Sequence, residues 1–248
     1  MKSAYPRPPI LECTIQISFA DKGSDENNVR FARTCEKFYQ RFDREIPQQL
    51  SVKLSADRPA DASFSVELQQ PSYKLSTEDQ TEVAVCGPET LVISQLAPYP
   101  GWDAFFARFQ REWSVFEDVF KFRKISRVGM RYVNRLDLPP EGDVVRNEDY
   151  LLFFPSIPSQ FGNTDQFFLN VTLRRPNIGG VVIINSGITP TPVENRLGVL
   201  FDQDLVAQSD IPRDTAALYT LLNNMRAEKN TIFETCVTDK ARALFAND

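Results

Sequence analysis

Residues 121–137 alternate charged and apolar side chains with a period of two, and no other stretch constrains the fold so strongly. Read as an extended strand, Lys121, Arg123, Arg127, Arg131 and Arg135 fall on one face. Phe122, Val128, Met130, Tyr132 and Leu136 fall on the other. Such a strand has one side on a core and one side free to meet something else. The free side is basic, although the chain carries 28 Lys plus Arg against 33 Asp plus Glu, a formal net charge of -5. A cationic row in an acidic chain needs an anionic counterpart, inside or outside the molecule.

The same alternation at residues 10–19 sets Leu11, Cys13, Ile15, Ile17 and Phe19 against Glu12, Thr14, Gln16 and Ser18, which predicts a half-buried strand. Ser24 and Asp25 are N-cap candidates for a helix carrying Phe31, Cys35, Phe38 and Phe42 at three- and four-residue steps, closed by Pro47. Residues 50–54, 64–68, 73–75, 82–85 and 91–96 read as short strands separated by Asp, Pro and Gly, an antiparallel meander. Gly101 precedes a helix whose face holds Trp102, Phe105, Phe106, Phe109, Trp113 and Phe116. After the basic strand come a polar connector at 139–149, a short apolar segment at 150–154 and strands near 167–173, 181–185 and 197–205. A long helix over 214–232 follows, and Thr238 caps a short terminal one.

The predicted class is α+β, with antiparallel sheets packed against long amphipathic helices in one unit spanning residues 1–248. Both halves, 10–120 and 121–248, open on a strand, run through antiparallel strands and close on a long helix, which raises an internal duplication. No residue-level repeat is visible, and one irregular α+β domain is the competing description.

The 248-residue chain is 42% hydrophobic, enough for an ordinary globular core. No apolar run approaches the roughly 18–20 residues that cross a bilayer, and residues 1–9 lack a hydrophobic leader core. Neither export nor a membrane partner is expected. Cys13, Cys35, Cys86 and Cys236 lie far apart without C-x-x-C spacing, which fits thiols in a reducing cytoplasm. There is no histidine, so Ser-His and Cys-His nucleophiles and the commonest general base are excluded. The acidic balance argues against nucleic acid as a general partner. No cofactor is indicated.

Three features bear on function. Arg127, Arg131 and Arg135 form a candidate anion-binding face, because guanidinium groups match phosphate and carboxylate through paired hydrogen bonds. Their long arms can converge over Gly129, whose missing side chain leaves space for a ligand or another backbone. Alternatively they pair with carboxylates on adjacent strands, Glu12 and Glu67 being candidates, an ordinary way to stabilise a sheet. Asp202 and Asp204, two apart, share a strand face and are weak candidates for a divalent cation. The aromatic cluster from Tyr99 to Trp113 reads as core, and Asn177-Ile178-Gly179-Gly180 as a hairpin turn, since it lacks the ending of a phosphate loop.

The opening Tyr5-Pro-Arg-Pro-Pro-Ile-Leu-Glu12, then Tyr99 with Trp102 and Phe105, and the central Arg127-Val-Gly-Met-Arg-Tyr-Val-Asn-Arg135 resemble an uncharacterised, sporadically distributed prokaryotic family of about this size. Asp202-Gln-Asp204, Phe233, Thr238-Asp239 and Phe245 extend the resemblance over nearly the full length. It implies one full-length unit and supplies no mechanism. The leading expectation is therefore a cytosolic, non-catalytic protein that recognises an anionic ligand or a protein partner through the basic strand. The second is a metal-assisted enzyme on a phosphate-containing substrate, with Asp202 and Asp204 on the metal and the arginines on phosphate. Oligomeric state is not legible.

Overall fold

The computed structural model describes residues 5–45, 51–55, 63–67, 72–140, 146–158, 160 and 166–246. Ile10–Phe19 (β1) follows its alternation: Cys13, Ile15, Ile17 and Phe19 are buried. Ser24 caps Asp25–Cys35 (α1), its hydroxyl accepting from the Asn27 N–H at 3.2 Å. The helix stops earlier than the Phe38 and Phe42 spacing predicts. A 3-10 turn at Glu36–Phe38 leads into an extended Tyr39, whose buried hydroxyl donates to Glu112. The chain then enters Arg41–Glu45 (β2), so Phe42 sits on a strand, stacked on Tyr73 at 5.9 Å.

Among the described residues Ser51–Ser55 (β3) and Ser63–Glu67 (β4) pair only with each other. Of the five strands expected in one meander only the last three form it, Ser72–Ser76 (β5), Glu82–Gly87 (β6) and Thr90–Leu96 (β7), and β7 returns to pair with β1. Gly101, at φ 96, turns the chain into Trp102–Phe120 (α2). Ile125–Leu138 (β8) follows, then Phe168–Arg175 (β9), Gly180–Thr189 (β10) and Leu197–Ala207 (β11). Asp214 caps Thr215–Cys236 (α3), and Asp239–Ala246 (α4) ends the described chain, with Thr238 accepting from the Ala241 N–H. The Asn177–Gly180 segment is the predicted turn, with Gly179 at φ 64.

The fold is α+β, built on one nine-stranded antiparallel sheet ordered β2-β5-β6-β7-β1-β8-β11-β10-β9. Three strands lie beyond β8, and four beyond β1, where β2 has no counterpart on the other side. Each opening strand is flanked by the last strand of a three-strand meander, β5-β6-β7 on one side and β9-β10-β11 on the other. A long helix, α2 or α3, follows each meander.

The helices lie on one face of this sheet. Phe19 of β1 stacks on Phe116 of α2 at 4.9 Å, Phe31 of α1 meets Phe116 edge-on, and Phe201 of β11 meets Phe233 of α3. Phe245 of α4 packs on Phe233, and Tyr5 packs on both rings. Phe105, Phe109, Trp113 and Phe116 are fully buried along α2. Each such side chain contributes about 1.5–3 kcal/mol of apolar burial. The aromatic stripe is core, as its helical spacing predicts.

Candidate functional site

On β1 and β8 the other face of the sheet carries the polar half of the alternation. On β8 the even positions Val128, Met130, Tyr132, Asn134 and Leu136 are buried under the helices, while Arg127, Arg131, Val133, Arg135 and Asp137 look away from them. Two members of the predicted basic row do not belong to it. Lys121 caps α2 and Arg123 precedes β8. Arg123 is 6% exposed and donates to Asp21 and to the Pro88 carbonyl at 3.0 Å, its guanidinium 4.3 Å from the Phe19 ring centroid. It locks a loop in place, because the strand starts only after the chain has left the helix.

The three remaining arginines are answered by aspartates of β8 and β11. Arg131 donates from Nε to Asp202 Oδ1 at 2.9 Å and from Nη2 to Asp202 Oδ2 at 2.8 Å. Arg127 lies 3.9 Å from Asp204, and Arg135 donates to Asp137 Oδ1 at 2.9 Å. Glu12, expected among the partners, accepts instead from Thr14 at 2.8 Å, and Thr14 shares a second hydrogen bond with Ser94 at 2.7 Å. The side chain of Glu67 lies outside the described residues. Sequence spacing could not rank these carboxylates, because it does not give the register that places β11 beside β8.

Gly129 does not leave room for a ligand. A Cβ there would stand 2.8 Å from Arg127 Nη1 and 3.3 Å from its Cζ, so the Arg127 guanidinium itself fills the space. Gly129 lets Arg127 lie flat along the strand toward Asp204.

A hydrogen-bond chain runs from the centre of the sheet to its edge. Asn185 of β10 donates to Asp202 Oδ2 at 3.0 Å, and Asn170 of β9 donates to Asn185 Oδ1 at 2.6 Å. Arg131, Asp202, Asn185 and Asn170 thus connect four adjacent strands. Asp202 is 1% exposed with both oxygens engaged, which leaves it poorly placed as a cation ligand. Among the described residues no group of three or more Cys, Asp and Glu converges as a metal would need. Burial pushes the Asp204 carboxyl above its usual range, against the pull of Arg127 and Arg131. The Asp202 bond raises the Arg131 guanidinium further above its already high value. Asp202 and Arg131 share the face away from the helices, Asp202 buried beneath the half-exposed Arg131.

Arg131 is the most available cation of the row, with half its side chain (51%) exposed. Asp202 takes two of its five N–H groups, and the others have no hydrogen-bond partner among the described residues. The row as a whole is self-neutralised, since Arg127, Arg131 and Arg135 stand among Glu12, Asp137, Asp202 and Asp204.

Under the helices lie polar groups that the sequence reading passed over. Lys229 Nζ sits 4.1 Å from the Tyr132 ring centroid, and Tyr132 Oη lies 3.3 Å from Tyr99 Oη. Burial lowers the Lys229 ammonium to about 8 and raises the Cys13 thiol to about 12. On α2, Glu112 is fully buried and accepts from Tyr39 and from Arg111 at 2.8 Å, and burial raises its carboxyl. The signal was present: Lys229 continues the Leu218, Leu222, Met225 stripe of α3, and Glu112 interrupts the Phe105, Phe109, Phe116 stripe of α2. No model of a known protein family matches the chain, and no curated protein matches it either.

Proposed function

We propose that the protein is a non-catalytic recognition module that docks a protein partner on the open face of its sheet, with a partner carboxylate received by Arg131. The observation that supports this is the Arg131–Asp202 pair. Asp202 holds the guanidinium in one orientation from below, so its free N–H groups are aimed outward with little side-chain entropy left to lose. The neighbouring charges favour a protein surface over a small anion. Arginines and carboxylates alternate here, and such a surface discriminates by complementary potential, whereas a free phosphate would meet Asp204 and Glu12 as repulsion.

The metal-assisted enzyme reading loses support, because the aspartates it requires are bound to the arginines it requires. A reducing, cytoplasmic setting belongs to the same proposal. Cys13, Cys35 and Cys86 are buried free thiols, and among the described residues no helix is long and apolar enough to cross a membrane.

The test uses a fluorescein-labelled peptide of alternating lysine and glutamate, which offers a carboxylate to Arg131 and cations to Asp204 and Glu12, with inorganic phosphate as the small-anion comparison. The wild type is expected to bind the peptide saturably at low salt, and Arg131→Gln to bind it about tenfold more weakly, one charge-assisted hydrogen-bonding site having been removed. Equal binding by Arg131→Gln, or a response to phosphate alone, would remove the basis for the proposal.

A further inference from the structure

The two edges of the sheet are built differently. β2, at one end, reads Arg41-Phe-Asp-Arg-Glu45, so four of its five side chains are charged. Charges on an edge strand keep other strands from adding to it. β9, at the other end, reads Phe168-Leu-Asn-Val-Thr-Leu-Arg-Arg175, with no charge and no proline before Arg174. No strand flanks it beyond β10 among the described residues. Phe168, Asn170, Thr172 and Arg174 are exposed, and Phe168 is 69% exposed, the highest value among the large hydrophobics. An uncharged edge of this length is a template for strand addition.

We infer that β9 pairs antiparallel with β9 of a second copy of this chain, joining two sheets into one across a two-fold axis at Val171. An axis normal to the sheet keeps both helix layers on the same side, so residues of equal parity face each other. Centring on Val171 sets Val171 against its own copy, Leu169 against Leu173 and Asn170 against Thr172. Phe168 then lies against Arg174. The strand is self-complementary in this register. Leu169, Val171 and Leu173 stand on the helix-bearing face, opposite Ser186, Ile184 and Val182 of β10, and across the junction each of the three meets a Leu or Val of the other copy. On the open face an amide meets a hydroxyl, and a guanidinium meets an aromatic ring at both ends. The two Arg174 side chains are kept six positions apart, about 20 Å along the strand. The chain of hydrogen bonds from Arg131 through Asp202 and Asn185 ends on Asn170, at the centre of this junction.

The experiment measures the mass of the full chain by light scattering and sedimentation over a concentration series. The wild type is expected at twice 28.3 kDa. Phe168→Lys sets a like charge against Arg174 at both ends of the junction and weakens dimerisation about tenfold or more. Combining Phe168→Lys with Arg174→Glu makes both ends attractive again and recovers most of that loss. Because Phe168 is exposed, the circular dichroism of the monomeric variant should match the wild type, and its thermal midpoint should match that of wild type diluted below its dimer dissociation constant. If Phe168→Lys does not fold, Thr172→Lys probes the same edge, and hydrogen exchange of the wild-type β9 amides should slow as concentration rises. A wild type that stays monomeric at about 100 μM, a dimer untouched by Phe168→Lys, or a failure of Arg174→Glu to restore it would each overturn the inference.

Discussion

Arg131 reaches Asp202 diagonally, not straight across the sheet: the strand register sets Asp204 opposite Arg131 and Val133 opposite Asp202. The consequence is a carboxylate 1% exposed whose counter-charge sits at the surface. Removing Arg131 as Arg131→Gln leaves that carboxylate desolvated without its strongest partner, at a cost of about 2 kcal/mol. Asp202→Asn keeps the Asn185 contact and costs less. In the double variant much of the loss should be absent, giving a coupling of about 1–2 kcal/mol in urea unfolding. A coupling below about 0.3 kcal/mol would mean that solvent, and not Arg131, holds the Asp202 charge.

Gly129→Ala separates the electrostatic role of Arg127 from the stability of the strand. The new Cβ collides with the far end of a flexible side chain, not with backbone, so the strand should keep its register at a cost below about 1 kcal/mol. What changes is the distance from Arg127 to Asp204. Arg127 draws the Asp204 carboxyl down against burial, so displacing it should raise that carboxyl further. A group whose folded-state value lies above its unfolded one favours the fold only at low pH, and this contribution is lost as pH rises through the folded value. Gly129→Ala should therefore lose more stability at neutral pH than in acid. A carboxyl-carbon NMR titration that shows Asp204 unmoved would place Arg127 elsewhere in solution.

Period-two alternation made the strands legible, because each carries its own record of which side meets the core. β1 was readable to the residue, and β8 to within a few positions at its start. The misreadings share one cause, which is that local pattern carries no information about partners distant in sequence. Phe42 fits a helical step, yet Tyr39 is drawn to Glu112 and the chain leaves the helix before reaching it. Arg123 fits the strand period, yet Asp21 and the Pro88 carbonyl hold it. At the candidate site the residue types were visible and their pairing was not. Glu12 and Asp202 are equally plausible partners for Arg131 on composition, and only the β8–β11 register with its side-chain lean decides between them.

Lys229 should set the pH dependence of stability just above neutrality. Its ammonium lies over the Tyr132 ring, and no carboxylate among the described residues forms an ion pair with it, so burial lowers its value from 10.5 to about 8. A base depressed on folding binds fewer protons in the native state than in the unfolded chain, so stability rises with pH between about 8 and 10.5. Buried thiols act in the opposite sense above 9, because Cys13 and Cys35 are both pushed up to about 12. The contribution of Lys229 is therefore read as the difference between wild type and Lys229→Met. Methionine keeps the length and flexibility of the side chain without its charge. The variant should be more stable at pH 7, by about 1–3 kcal/mol, with the gap closing as pH approaches 10. Urea unfolding at pH 7, 8.5 and 10 measures this, and a gap that stays constant with pH would show that the ammonium is as well solvated in the fold as in the unfolded chain.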